Sequence, residues 1–144
     1  MSARSLPRIF IDTNVFAYFF DQQDRRKNKL ARSAVGGFLN SNQAVISYQV
    51  VQEFANVALR KFRPVLPPSE VQAFLDKILW PICEVLPDAG LYSEALSVVR
   101  ETGLTFYDSL IIAAAAQAEC KVLMTEDLQH GRKIRGVEIR SPFI

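Results

Sequence analysis

Short apolar runs alternate along this chain with longer segments in which apolar residues recur at helical spacing. Five of the runs predict strands, at residues 9–11, 44–46, 82–86, 121–125 and 137–140. Apolar runs this short, rich in β-branched and aromatic residues, are typical of buried strands rather than of helices. Because helical segments separate the strands, the sheet should be mainly parallel, with helices on both faces. The sequence therefore predicts an α/β fold, a single three-layer α/β/α domain with a mainly parallel sheet of about five strands.

Length and composition favour one globular domain. The 144 residues correspond to a single domain, which we expect to span residues 1–144. No apolar run approaches the roughly 20 residues that a bilayer span requires, and residues 1–7 lack the apolar core of a signal peptide. The two cysteines are far apart and show no CxxC pattern, which is typical of reduced, buried thiols. We therefore expect a cytoplasmic protein without a membrane segment.

Local signals predict where the helices begin and end. The predicted helices lie at residues 15–20, 25–39, 48–62, 69–80, 89–102 and 109–118. Ser47 is placed to cap the third of these helices, and Gly103 fits the position just beyond the fifth. Pro81 is expected to stop the fourth helix. Thr105 and Asp108 have the spacing of a capping box before the last helix, which is strongly apolar.

Four acidic residues stand close to predicted strand ends or helix starts. Asp12 follows the first strand and Asp127 the fourth, while Asp108 opens the last helix and Glu53 lies in the first turns of the helix after the second strand. Open α/β sheets bind ligands beyond the carboxyl ends of their strands. One edge of the sheet could therefore gather all four acids.

Each of these acids also has an explanation that involves no chemistry. Asp12 could cap a helix, and Asp127 could be an ordinary loop residue. Glu53 borders the apolar face of its helix and could reach solvent from there. Asp108 could be the second half of the capping box, which is the interpretation that its spacing favours. Spacing alone leaves both explanations open for every one of the four.

A cluster of these acids would need a cation. Two carboxylates ~4 Å apart repel each other by about 4 kcal/mol at an effective dielectric constant near 20, so four would protonate or separate without a counter-charge. Ligands that are all oxygen atoms select a hard ion such as Mg²⁺ or Mn²⁺. The lone histidine, His130, argues against a site built from histidine and cysteine. A hard-ion site suits phosphodiester hydrolysis, because the ion activates water and stabilises charge on the leaving oxygen.

Four stretches of the sequence, in order, resemble the PIN domain. They are residues 9–14 (IFIDTN), Glu53 after the second strand, residues 106–109 (FYDS) and residues 123–127 (LMTED). The resemblance covers essentially the whole chain and is closest to the VapC-type toxins of prokaryotic toxin–antitoxin pairs. An Asp-Thr-Asn sequence alone is a weak signal, whereas the ordered set is specific.

The resemblance implies a metal-dependent endoribonuclease whose acids hold Mg²⁺ or Mn²⁺. The implied catalytic residues and metal ligands are Asp12, Glu53, Asp108 and Asp127. Asn14 and Thr125 are implied to orient the acids through hydrogen bonds, with Thr13 and Ser109 as weaker candidates. The resemblance also implies an RNA substrate, a small antitoxin that lays its tail across the acidic site, and a homodimer.

Glu126, His130 and several basic residues also bear on the predicted site. Glu126 adds a carboxylate beside Asp127 that could coordinate the ion or point away, and its neighbour Thr125 favours the outward direction. His130 is interpreted as a turn residue. Basic clusters could supply contacts to RNA phosphates. The clusters comprise Arg25, Arg26 and Lys27, followed by Lys29 and Arg32, and later in the chain Arg60, Lys61 and Arg63.

Other functions remain open beside that of a toxin. A housekeeping RNA-processing nuclease could use the same domain, and a neighbouring gene for a DNA-binding antitoxin would separate the two. A non-catalytic RNA- or protein-binding domain could have kept the fold. A phosphatase of the haloacid dehalogenase type is excluded, because that chemistry needs a second aspartate where Asn14 stands.

Overall fold

A six-stranded sheet forms the centre of the molecule in the computed structural model, which describes residues 6–144. Residues 1–5, the start of the predicted domain and of the segment expected to lack a signal peptide, lie outside the described residues. The strands are β1 (Ile9–Ile11), β2 (Ala44–Ser47), β3 (Cys83–Val85), β4 (Val122–Met124), β5 (Lys133–Ile134) and β6 (Val137–Arg140). Their order in the sheet is β3-β2-β1-β4-β6-β5. All neighbours are parallel except β5 and β6, so the predicted mainly parallel α/β fold is confirmed.

The additional strand is β5, which the sequence analysis did not predict. It has only two residues and pairs antiparallel with β6, with Ile134 opposite Val137. The two residues between them, Arg135 and Gly136, both have positive φ, at 53° and 78°. A two-residue turn with positive φ at both positions matches the twist of a hairpin. Arginine is an uncommon residue for such a turn, so no hairpin signal is evident in the sequence here.

Helices fill the connections between the strands. They are α1 (Thr13–Ala17), α2 (Arg25–Asn40), α3 (Tyr48–Arg60), α4 (Pro68–Phe74), α5 (Trp80–Ile82), α6 (Ala89–Thr102) and α7 (Phe106–Gln117). A 3₁₀ turn, Tyr18–Phe20, extends α1, and a π-helical segment, Leu75–Leu79, joins α4 to α5. Among the described residues, no helix has both the length and the hydropathy needed to cross a membrane.

The order of the strands places a reversal between β1 and β4. The chain moves from β1 outward through β2 to β3, and then returns past β1 to β4, which continues to β6. Because parallel crossovers are right-handed, connections that run in opposite directions put their helices on opposite faces of the sheet. Such a reversal leaves a crevice at the carboxyl ends of the two central strands, and ligands of doubly wound sheets bind there. Asp12 follows β1 and Thr125 follows β4.

Three predicted helix boundaries need comment. Pro81 does not end the helix at Trp80, since helical backbone runs on from the π-helical segment to Ile82, one residue beyond the proline, and the φ that proline imposes is compatible with a helix. Ser47 occupies the N-cap position of α3, but its side chain makes no capping hydrogen bond and its buried Oγ has no partner among the described residues. Gly103 ends α6 as expected, with φ of 73° and an N–H that donates to the carbonyl of Val99 at 2.8 Å.

The core holds the site-bearing elements firmly. Strand β1 and most of α7 are buried, as expected for a helix that is apolar all round. Elsewhere in the core, Phe54 of α3 stacks on Phe74 with ring centroids 4.7 Å apart. Phe20 and Phe62 join the same aromatic cluster, with their ring centroids 5.5 Å apart. Aromatic pairs of this kind fix the positions of α1 and α3 relative to each other.

Candidate active site at the carboxyl edge of the sheet

Asp12 lies at the bottom of the site, where β1 turns into α1. Its side chain caps α1, with Oδ1 accepting from the backbone N–H of Thr13 at 2.7 Å. Its other oxygen, Oδ2, accepts from the hydroxyl of Thr125 at 2.9 Å. Burial raises the pKa of Asp12 to about 7, against the effect of these two hydrogen bonds, and the charges of Glu53 and Asp127 raise it further. Asp12 is therefore both a helix cap and a nearly buried carboxylate with two acidic neighbours.

Thr125 and Asn14 connect Asp12 to Asp127. The fully buried Thr125 hydroxyl donates to Asp12 and accepts from Asn14 Nδ2 at 3.2 Å. Asn14 Nδ2 also donates to Asp127 Oδ2 at 2.9 Å, and Asn14 Oδ1 accepts from the backbone N–H of Glu126 at 3.2 Å. The network therefore ties the ends of β1 and β4 together across the reversal point of the sheet. The orienting role of Asn14 and Thr125 stays a prediction, and these hydrogen bonds are the contacts that it would use.

Glu53 reaches this region from α3. Its Oε1 accepts from the hydroxyl of Thr13 at 3.1 Å, which joins α3 to the first turn of α1. Burial raises the pKa of Glu53 and the Thr13 hydrogen bond lowers it, while the charges of Asp108 and Asp127 raise it further. A half-buried carboxylate directed toward other acids differs from a solvated edge residue. The geometry therefore removes the solvent-facing alternative for Glu53.

Asp108 lies in the first turn of α7. The Thr105 hydroxyl accepts from the backbone N–H of Asp108 at 3.2 Å, so Thr105 caps the helix as predicted. Among the described residues, no hydrogen bond runs back from the Thr105 N–H to the Asp108 carboxylate. Only one half of the capping box therefore forms, and the Asp108 side chain is left to face the site.

All four acids line a single cavity of about 390 Å³, called the acid cavity below. Its lining consists of Asp12, Thr13, Asn14, Ala17, Gln49, Glu53, Val57, Lys61, Phe62, Tyr107, Asp108, Ile111 and Asp127. Among residues 6–144, Lys61 is the only cation in this lining. In residues 6–144, no three His, Cys, Asp or Glu side chains lie close enough to form a ready-made metal cluster. Carboxylates that repel each other are expected to stand apart in this way unless a cation draws them together.

Glu126 points away from the acid cavity. Its Oε1 accepts from the hydroxyl of Tyr18 at 2.7 Å, and its Oε2 forms an ion pair with the ammonium of Lys27. That ammonium also lies over the rings of Tyr18 and Phe143, 5.1 and 5.3 Å from their centroids. Glu126 therefore has its own cation, and the outward direction favoured by the sequence is the one observed.

The basic residues at the start of α2 lie outside the acid cavity. Lys27 pairs with Glu126, and Arg26 Nη2 donates to the carbonyl of Phe143 at 2.7 Å. Arg25 is exposed and lines a separate cavity with Arg32. The contacts of these side chains to RNA phosphates stay a prediction, and at least two of them have partners within the chain.

Sequence reasoning missed several residues that line the acid cavity. Gln49 donates from Nε2 to the carbonyl of Tyr107 at 3.2 Å, and its buried Oε1 has no partner among the described residues. Tyr107, in the first turn of α7, is 65% exposed. Ser109 is buried and is absent from the cavity lining. His130 accepts from the backbone N–H of Ser141 at 3.0 Å, in keeping with a turn residue.

Comparison with known proteins agrees with this arrangement. The model of the PIN domain family matches residues 9–135. No curated protein is significantly similar to the chain in sequence. Among solved structures, a toxin–antitoxin complex from Klebsiella pneumoniae is 18% identical, with a TM-score of 0.67, over 93% of this chain and 97% of that one.

Two further structures share the fold. VapBC2 from Rickettsia felis, bound to a DNA fragment from its promoter, is 16% identical with a TM-score of 0.63, over 92% of this chain and 97% of that one. VapC20 from Mycobacterium tuberculosis, described as a toxin that cleaves the sarcin-ricin loop, is 19% identical with a TM-score of 0.58, over 80% of this chain and 86% of that one. The family match spans most of the chain and includes all four acids, so the chain belongs to the PIN domain family.

Proposed function

We propose that this protein is a metal-dependent endoribonuclease that hydrolyses RNA phosphodiester bonds with Mg²⁺ or Mn²⁺. The observation that carries the proposal is the acid cavity, in which four carboxylates face one space with a single lysine among them. Three of the acids come from separate elements, and the fourth follows β4, so local helix capping does not explain their convergence. A divalent cation is the counter-charge that such a set lacks.

The donor atoms of the acid cavity fit a hard cation. The proposed ligands are Asp12, Glu53, Asp108 and Asp127, which offer only oxygen atoms. Each oxygen of Asp12 receives one hydrogen bond, which leaves further lone pairs for a cation. When bound, the cation activates water and stabilises the negative charge that develops at the phosphate that is cut.

The surrounding residues would hold the carboxylates in place before substrate binds. Thr125 and the Thr13 N–H fix both oxygens of Asp12, and Asn14 fixes Asp127 from one side. Such hydrogen bonds to ligating carboxylates orient them and tune their affinity for the ion. Asn14 and Thr125 are thus positioning residues in this proposal.

We further propose that the protein is the toxin of a type II toxin–antitoxin pair. Support comes from the solved structures that share its fold, which are described as a toxin–antitoxin complex, as VapBC2 bound to promoter DNA and as a toxin that cleaves the sarcin-ricin loop. A small antitoxin would then be the cognate partner and the toxin would act as a homodimer in the cytoplasm. These relatives favour a toxin over a housekeeping nuclease or a non-catalytic binding domain.

The test is RNA cleavage by the purified protein in Mg²⁺, in Mn²⁺ and in EDTA. We expect cleavage with either ion, none in EDTA, and a loss of about 100-fold or more in Asp12→Asn, because each 1.4 kcal/mol of lost transition-state stabilisation costs tenfold. Asp76→Asn is the matched control, since it makes the same change at an exposed residue outside the cavity.

Two results would contradict the proposal. Equal activity of Asp12→Asn and the parent protein would remove the acid cavity from the mechanism. Cleavage that persists in EDTA would remove the divalent cation. For the toxin assignment, induced expression should arrest bacterial growth, and Asp12→Asn should relieve the arrest.

A further inference from the structure

An acidic cavity repels the polyanion that it is proposed to cut. RNA brings one negative charge per nucleotide, and proteins that bind single strands usually offer a basic groove along the backbone. The cation that balances the acids does not guide the flanking phosphates. Some side chain near the cavity must therefore attract the strand.

Several cations are already engaged within the chain. Lys27 pairs with Glu126, Arg32 Nη2 donates to the carbonyl of Phe19 at 2.7 Å, and Arg26 donates to that of Phe143. Other ion pairs among the described residues use Arg8, Arg135 and Arg140. These side chains already make contacts within the chain, so they are poorly placed to bind RNA.

Lys61 differs from all of these cations. Its backbone N–H caps α3 by donating to the carbonyl of Val57 at 2.7 Å, which fixes its Cα at the mouth of the acid cavity. Its side chain is exposed, and it belongs to none of the ion pairs formed by residues 6–144. It is also the only cation that the described residues contribute to the lining of the acid cavity.

Lys61 lines a second cavity as well. This cavity has a volume of about 320 Å³, and it shares Asn14, Ala17, Lys61 and Phe62 with the acid cavity. Its lining adds another cation, Arg63, that also belongs to no ion pair in the described part of the chain. The two cavities therefore meet along one wall, and cations stand at the junction and beyond it.

The acids of the second cavity have partners of their own. Glu126 is paired with Lys27 and accepts from Tyr18. Asp21 Oδ1 accepts from the backbone N–H groups of Gln23 and Asp24, at 2.8 and 3.0 Å. The second cavity therefore opposes a phosphate less than the acid cavity does.

We infer that Lys61 binds the RNA phosphate next to the one that is cut, and that the strand continues into the second cavity, where Arg63 contacts a following phosphate. The inference rests on the proposed ribonuclease function. It replaces the predicted contacts of Arg25, Arg26 and Lys27 with residues at the other end of the site. Lys61 is a substrate-binding residue in this account, and it takes no part in the bond-breaking step.

The test compares RNA binding and cleavage in Lys61→Gln, Lys61→Arg and Lys77→Gln. Lys77 is an exposed lysine of the π-helical segment, remote from both cavities, and provides the matched control. Binding of a labelled, sequence-randomised single-stranded RNA is measured by anisotropy in Ca²⁺ over a range of salt concentrations, and gels verify that the RNA stays intact. Thermal unfolding of each variant establishes that it is folded.

We expect Lys61→Gln to weaken binding about ten-fold, as for loss of one charge-assisted hydrogen bond. The slope of log affinity against log salt should fall by about 0.7, the value for one phosphate contact on a single strand, and by about twice that when Arg63→Gln is added. In cleavage assays KM should rise with kcat nearly unchanged, because the contact is made equally in the ground and transition states. Lys61→Arg should restore most of the affinity, and Lys77→Gln should behave like the parent.

The outcomes separate this inference from the proposed function. A parent protein that cleaves RNA while Lys61→Gln keeps its affinity and salt slope would overturn the inference alone. A parent that binds RNA through Lys61 but does not cleave it with either ion would overturn the nuclease assignment alone. A parent that neither cleaves nor binds RNA would overturn both.

Discussion

Glu126 and Asp127 are neighbours in the sequence, yet they face different cavities with different charge balance. Glu126 turns toward α2, where Lys27 and Tyr18 provide a cation and a hydroxyl donor. Asp127 turns toward the acid cavity, where Asn14 donates one neutral hydrogen bond and the other charged groups nearby are mostly acids. Two carboxylates one residue apart thus have opposite surroundings.

The presence or absence of a neutralising cation distinguishes Glu126 from the acids that are proposed to function. A carboxylate that pairs with a cation of the same chain has its charge neutralised, and the ion pair contributes to the stability of the fold. A group of carboxylates that the chain leaves without sufficient positive charge is incomplete, because their repulsion is unfavourable until something neutralises it. The missing charge, rather than the acids themselves, is the observation that supports the proposed cation site in the acid cavity.

The largest difference in RNA cleavage is expected between the variants in which Glu53 and Glu126 are each replaced by glutamine. Glu53→Gln should reduce RNA cleavage about 100-fold or more, because it removes a proposed ligand whose ion stabilises the transition state by several kcal/mol. Glu126→Gln makes the same chemical change outside the acid cavity and should alter cleavage by less than about threefold. Initial rates in Mg²⁺ and Mn²⁺ measure both. Similar losses of cleavage in the two variants would contradict the distinction between the acid cavity and the Glu126 ion pair.

The next effect is a pH dependence of stability in the metal-free protein. Burial raises the pKa of Asp12 from 3.8 to about 7, so between these values the folded state binds more protons than the unfolded state. The contribution of Asp12 to stability must then fall as the pH rises through this window, by a few kcal/mol at most, since one pKa unit is worth about 1.4 kcal/mol. Glu53 acts in the same direction. Urea denaturation in EDTA measures the trend.

Two variations of that experiment test its cause. Asp12→Asn should flatten the pH dependence, because the amide does not titrate. Added Mg²⁺ should also flatten it, since the ion favours the ionised carboxylates. A metal-free parent whose stability rises between pH 4 and pH 7 would contradict the assigned direction.

A smaller effect is expected from the hydroxyl that supports the acid cavity. Thr125→Val keeps the shape of the side chain but removes one hydrogen bond from Asp12 Oδ2 and one from Asn14 Nδ2, at a cost of about 1–3 kcal/mol in the free energy of unfolding. Thr125→Ser keeps the hydroxyl and should lose about 1 kcal/mol or less, the value of one methyl group. Denaturant melts at constant pH compare the two. Equal losses would mean that Thr125 acts only through packing.

The smallest effect is expected from the neutralised pair. Lys27→Met should lower the free energy of unfolding by at most about 1 kcal/mol, because the Lys27 and Glu126 side chains are 27% and 28% exposed and solvent screens them. RNA cleavage and RNA affinity should change by less than about twofold. A loss of affinity like that expected for Lys61→Gln would return Lys27 to the RNA-binding surface.

The fold was predictable because its signals are local. Strands β1, β2, β4 and β6 follow from apolar runs, and their separation by helices implies parallel pairing, which the sheet confirms. β5 escaped prediction because two residues carry no periodicity, and its turn uses Arg135 rather than asparagine. The prediction that the Ser47 side chain caps α3 was wrong, because its hydroxyl makes no capping hydrogen bond, and a residue that is also the buried end of β2 gives no sign of this in the sequence.

The site was predictable only in part. Asp12 and Asn14 were evident because the end of a strand and the start of a helix are adjacent in sequence. The convergence of Glu53 depends on a hydrogen bond to Thr13, 40 residues away, which periodicity does not reveal. The position of Glu126 likewise depends on Lys27, 99 residues away. The place of Lys61 depends on how α3 ends beside the cavity.

The most direct test of the central claim is the affinity for Mn²⁺ of the parent protein, Asp127→Asn and Glu126→Gln, measured by calorimetric titration at one pH. We expect the parent to bind Mn²⁺, Asp127→Asn to bind it at least about tenfold more weakly, and Glu126→Gln to bind it within about twofold of the parent. Equal affinities in Asp127→Asn and the parent, or an equal loss in both variants, would contradict the claim that the uncompensated acids form the cation site.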